Sequence, residues 1–124
     1  MNLPLDSVLL RIFIGESDRH DGKPLHEALV LKARELHLAG ATVIRGAMGF
    51  GLSSRIHTSK ILRLSIDLPL IIEIVDSEEK INAFLPVLDA MVGGGLVTLE
   101  KARVIFYRTA KEGDPDAGGP SRPD

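Results

Sequence analysis

The sequence predicts an α+β domain, a ferredoxin-like split βαβ sandwich in which two helices cover one face of an antiparallel sheet. Three observations carry that expectation. Apolar strand-like runs and stripes of helical period follow one another in the order β-α-β-β-α-β, which is the order a split βαβ unit requires. The 124 residues suffice for one hydrophobic core and not for two. A hydrophobic share of 44% with 26% charged residues is a globular rather than a disordered composition.

Residues 8–14, VLLRIFI, form a β-rich apolar run broken only by Arg11, the pattern of a central strand. GESDRHDGK then supplies turn chemistry, and Pro24 suits a first helical position, where a missing N–H is tolerated. A helix is predicted over 24–38, with Leu25, Ala28, Leu29, Ala33 and Leu36 on one face and Gly40 as its left-handed cap. Residues 41–48 and 68–76 read as the second and third strands, Pro69 being acceptable at a strand start. Ser77 is a good N-cap, Glu78 and Glu79 favour a helix start, and Ile81, Phe84, Leu85, Leu88 and Met91 continue the stripe. Pro86 inside that stripe removes one backbone hydrogen bond and predicts a kink rather than two helices. Gly93, Gly94 and Gly95 end the helix, and residues 102–107, ARVIFY, form the fourth strand, preceded by a short extended piece at 96–99. The domain is therefore placed at 7–108, with 109–124 as a disordered tail of Gly, Pro and charge.

The totals exclude several classes of function. A formal net charge of −2 gives no global basic field for nucleic acid or an anionic membrane, and four phenylalanines with one tyrosine offer little for base stacking. Without cysteine there are no disulfides, thiolate metal sites or cysteine nucleophiles. MNLPLDSVLL lacks the basic start and cleavage site of a signal peptide, and no apolar run approaches the roughly 18–20 residues of a membrane span; the expected compartment is the cytoplasm. Leu9 and Phe13 alternate with Leu10, Ile12 and Ile14, so the face of the sheet away from the helices also carries apolar residues. A homo-oligomer is the expected cover.

The candidate chemistry gathers in GAMGFGLSSRIHTSKILR, residues 46–63. Its glycines let backbone N–H groups approach an anion closely, Ser53, Ser54 and Thr58 supply hydroxyls, and Arg55, Lys60 and Arg63 supply positive charge. The spacing matches neither a Walker loop nor a dinucleotide fingerprint. On composition alone both an anion site and a solvated basic connection fit. Gly93, Gly94 and Gly95 invite the same pair of readings, because one glycine already stops a helix whereas three let something approach the backbone; Lys101 and Arg103 lie nearby in sequence. ESDRHDGKPLHE groups carboxylates and histidines but has no i,i+4 ligand pair on a helix, so it is read as a turn rather than a metal site, with Asp18 or Asp21 bonding backbone groups. His57 could orient a ligand or stack on a base. No nucleophile, base and orienting group occur together, and the expectation is a protein without catalytic residues.

The segments RIFIGESDRHDGKPLHEALVLKARELHLAGATVIRGAMGFG, SSRIHT, DLPLIIEIVDSEEKI and GGGLVTLEKARVIFY closely resemble the uncharacterised domain-of-unknown-function family numbered 190, over residues 8–108. That resemblance implies a PII-like fold, related to the nitrogen-signalling PII proteins, which are trimers that bind nucleotides in clefts between subunits. It implies an effector loop over 49–63 and a phosphate-holding turn at Gly93, Gly94 and Gly95. Combined with the residue chemistry above, which adds Arg103, the expected ligand-binding set is Gly49, Gly51, Ser53, Ser54, Arg55, His57, Lys60, the three turn glycines and Arg103. The implied ligand is an adenine nucleotide, the implied assembly a homotrimer, and the implied role regulation of a membrane channel or transporter. The competing readings are a structural accessory subunit of a fluoride-exporting channel that binds no metabolite, and an uncharacterised enzyme. The only tyrosine, Tyr107, falls in the fourth predicted strand, so tyrosine modification of the loop is not inherited.

Overall fold

The computed structural model describes residues 3–50, 57–58 and 67–109. Its principal sheet has four strands: β1 (Asp6–Gly15), β4 (Thr42–Arg45), β7 (Pro69–Asp76) and β8 (Leu96–Arg103). Two helices, α1 (Leu25–Glu35) and α2 (Glu78–Met91), complete the predicted β-α-β-β-α-β order. The strands lie in the order β4-β7-β1-β8, and every neighbouring pair is antiparallel. This is the ferredoxin-like sandwich. Two short hairpins decorate it, β2 (Arg19–His20) with β3 (Lys23–Pro24), and β5 (Met48–Gly49) with β6 (His57–Thr58).

Period two in the strands separates the two faces of the sheet. Val8, Leu10, Ile12 and Ile14 of β1 and Leu70, Ile72 and Ile74 of β7 are buried beneath Leu25, Leu29 and Ala33 of α1 and Ile81, Phe84, Leu88 and Met91 of α2. On the other face, Leu9, Phe13, Ile71 and Val75 are half-buried, and Ile44 and Leu96 are exposed. At its centre Arg11 donates from Nε to Glu73 Oε2 at 2.9 Å and also pairs with Glu100. Hydrogen bonding to Glu73, reinforced by the Glu100 charge, raises the guanidinium pKa still further above its ordinary value.

Several boundaries depart from the sequence expectation, each for a local reason. Helix α1 stops at Glu35 because His37 adopts φ 62°, closing the helix with His37 N–H to Arg34 O and Leu38 N–H to Ala33 O, both at 3.0 Å. That closure belongs to His37 and not to Gly40, a histidine occupying the left-handed position usual for glycine. Leu36, expected on the inner face, is consequently exposed, and Leu38 is buried instead. Pro24 is the N-cap rather than the first helical residue, and Leu25 N–H is satisfied by Asp18 O at 2.8 Å. The turn before it contains a hairpin whose central Asp21 and Gly22 both have positive φ, as a type I′ turn requires; Asp18 Oδ2 accepts from Gly15 N–H, the anticipated turn-shaping bond.

Pro86 lies within a single helix of 14 residues, capped by Ser77, whose hydroxyl accepts from Lys80 N–H at 3.2 Å. The largest correction concerns the last strand, which runs from Leu96 to Arg103 rather than over 102–107. Its register is set by β1, which begins at Asp6 opposite Arg103; one further bond, Val104 N–H to Leu5 O at 2.8 Å, is the last between the two segments among the described residues. Ile105, Phe106 and Tyr107 therefore lie outside the sheet, exposed, with the Tyr107 hydroxyl donating to Ala39 O at 2.7 Å. Of the tail expected at 109–124, all but Thr109 lies outside the described residues.

Candidate functional site

The antiparallel register brings the candidate loops to one end of the sheet. Gly15 ends β1 opposite Pro69 at the start of β7, Arg45 ends β4 opposite Leu70, and Leu96 begins β8 opposite Phe13. The base of the 46–63 connection and the triple-glycine turn thus share this end, but on opposite edges. Strands β4 and β8 are separated by three interstrand steps of about 4.8 Å each.

On the β4 edge, Gly46 donates to Pro69 O at 2.7 Å, and an added Cβ at Gly46 or Gly49 would meet Pro69 Cγ at 2.8 or 3.1 Å. The small size of these two residues is used by the Pro69 ring. Arg45 is ion-paired with Glu16 beside them. Gly49 pairs with His57 in the β5–β6 hairpin, which fixes the base of the loop. Gly51, Ser53, Ser54, Arg55 and Lys60 lie outside the described residues, as does the side chain of His57.

On the β8 edge the glycine turn lines an open groove of about 360 Å³, together with Leu85, Leu88, Val92, Val97 and Asp89. The groove exists because α2 covers β1 more fully than β8, so Val97 and Leu99, on the helix side of the strand, remain exposed. The three glycines do different jobs. Gly95 has φ +147°, and a Cβ there would run into the Phe13 carbonyl oxygen of the neighbouring strand. Gly93 and Gly94 face open space, with nothing within 4 Å of an added Cβ, so their backbone is accessible to a ligand.

The electrostatics of the groove differ from those of a phosphate loop. The turn follows a helix C-terminus, whose unpaired carbonyls carry partial negative charge, whereas phosphate loops exploit the opposite end. Among the described residues no Lys, Arg or His lines the groove. Arg103 is eight positions further along β8, opposite Asp6, so at about 3.3 Å per residue it stands roughly 26 Å from Gly95. The structure therefore brings Gly93, Gly94 and Gly95 together, places Gly49 and the His57 backbone at the same end across the sheet, and sets Arg103 at the far end.

Two features escaped the sequence reading. Asp89 was legible only as a polar residue on α2, a carboxylate in the last helical turn four positions before the first of three glycines. His26, at the start of α1, leaves Nδ1 buried without a hydrogen-bond partner among the described residues, which carries a desolvation cost. No group of three or more His, Asp or Glu side chains suited to a metal occurs among the described residues, and no described helix is long and apolar enough to cross a membrane.

Sheet order and the helix pair on one face define a ferredoxin-like α+β sandwich, with a groove at the glycine turn. The chain belongs to the DUF190 family, described as Uncharacterized ACR, whose model matches residues 7–104. It is 42% identical over 98 residues to a UPF0166 protein of Aquifex aeolicus (strain VF5), covering 79% of this chain and 92% of that one. It is 34% identical over 97 residues to a UPF0166 protein of Methanocaldococcus jannaschii, covering 77% and 89%. Among solved structures it is similar to CPII from Thiomonas intermedia K12 bound to ADP and bicarbonate, with a TM-score of 0.51 and 18% identity over 80% of this chain and 88% of that one. A second CPII structure, described as a nitrogen regulatory PII-like protein bound to ADP, AMP and bicarbonate, gives a TM-score of 0.54 at 16% identity over 80% and 88%. At these identities the structural likeness establishes the fold.

Proposed function

We propose that this protein is a cytoplasmic PII-like regulator that binds an adenine nucleotide in clefts between the subunits of a homotrimer and controls a membrane channel or transporter. The observation that carries the intersubunit reading is the separation of the glycine turn from Arg103 by the length of β8. One nucleotide cannot span both within a chain, so a cleft that uses both takes the turn from one subunit and the arginine from another. The uncovered apolar face of the sheet supports assembly, since a patch of this kind calls for a partner surface. The nucleotide class is supported by the fold shared with CPII, whose structures hold ADP or AMP. Within the groove, Leu85, Leu88, Val92 and Val97 offer an apolar wall for a base, and Gly93 and Gly94 offer open backbone.

The test is calorimetry of the full chain with AMP, ADP and ATP, paired with light scattering. Saturable binding, a mass about three times the 13.4 kDa of one chain, and at least tenfold weaker binding in Arg103→Ala are the expected results. A monomer, or a trimer that binds none of the three nucleotides, refutes the proposal. Unchanged affinity in Arg103→Ala removes that residue from the site.

A further inference from the structure

We infer that the Asp89 carboxylate biases the glycine-turn groove by charge, lowering its affinity for a nucleoside triphosphate relative to a monophosphate. This rests on the nucleotide reading above and adds a basis for selectivity to it.

Asp89 is an exposed carboxylate on the lining of the groove, beside apolar side chains and glycine backbone, with no ion-pair partner among the described residues. It also sits in the last turn of α2, a turn with no basic residue, where the helix dipole already contributes negative potential. A carboxylate there is disfavoured by the helix that carries it. The open backbone of Gly93 and Gly94 can approach one phosphate closely, but each additional phosphate charge in the same groove meets the Asp89 carboxylate and the helix end together.

Coulomb repulsion between unit charges about 7 Å apart in water corresponds to roughly a threefold loss of affinity per added charge. AMP and ATP differ by about two charges at neutral pH, so Asp89 is expected to shift their affinity ratio by about tenfold. A carboxylate acting through its field leaves a further signature: the shift shrinks as salt screens it.

The experiment is calorimetry of the full chain with AMP and ATP, without divalent cations, for the wild type, Asp89→Asn and Asp89→Glu. The expected result is that Asp89→Asn improves ATP relative to AMP by about tenfold, that Asp89→Glu keeps the wild-type ratio, and that raising salt from about 0.05 to 0.5 M collapses the difference. If both nucleotides bind and their ratio is the same within twofold in wild type and Asp89→Asn, the charge selection is overturned while the nucleotide reading stands. If neither nucleotide binds any of the three proteins, both are overturned.

Discussion

Replacing Gly95 by alanine tests the link between backbone geometry and the shape of the groove. At φ +147° an L-residue is strained, typically by about 1–3 kcal/mol. The added Cβ would also collide with the Phe13 carbonyl oxygen, which belongs to a central strand held on both sides and cannot give way as a flexible side chain would. Relief comes from lifting the start of β8 away from β1, at a cost of about 1 kcal/mol for each ladder hydrogen bond lost. With one such bond lost, these give about 2–4 kcal/mol. For a domain of this size, at about 4 °C per kcal/mol, the melting temperature should fall by roughly 8–16 °C. Gly93→Ala and Gly94→Ala are the controls: an added Cβ meets nothing within 4 Å at either position, and neither has a positive φ. Both should melt within about 4 °C of the wild type, with a slight gain from a stiffer unfolded chain. Differential scanning calorimetry at fixed protein concentration reads all three, since assembly would otherwise move the midpoint. A Gly95→Ala protein melting close to the wild type, or a Gly93→Ala protein falling just as far, would refute the reasoning.

Two further substitutions probe other parts of the framework. Asp76 is 2% exposed and accepts from Ala39 N–H at 2.8 Å and Ser77 N–H at 2.7 Å, joining the α1–β4 loop to the start of α2; Asp76→Ala should cost about 2–3 kcal/mol, read as a lower urea midpoint at unchanged slope, and an unchanged midpoint would deny the carboxylate this role. Pro86 is exposed within α2, where its ring withholds an N–H from the helix; Pro86→Ala should stabilise the protein by about 1–3 kcal/mol in a thermal melt, and a loss would show that the ring contributes packing beyond its cost to the backbone.

Much of the fold was legible because its signals are local. The run around Arg11, the stripes from Leu25 to Ala33 and from Ile81 to Met91, and the Ser77 cap each lie within a few residues, and each became the element expected. The split βαβ class followed from their order. Boundaries were misjudged where a distant strand or a turn residue of unusual type decided them: His37 took the left-handed position assigned to Gly40, and IFY, strongly β-prone, lies beyond the last bond to the segment before β1, Val104 N–H to Leu5 O.

The candidate site divided in the same way. By itself the sequence determined which groups could meet an anion: the glycines, hydroxyls and cations of 46–63, and the triple glycine with Arg103 beyond it. Tertiary structure alone decided which of them can act together. Antiparallel pairing places the loop base and the glycine turn at one end of the sheet and Arg103 at the other, and incomplete cover of β8 by α2 opens the groove that Asp89 lines. The physical reason is that residue chemistry is fixed position by position, whereas proximity between strands depends on register, which only the packed core specifies.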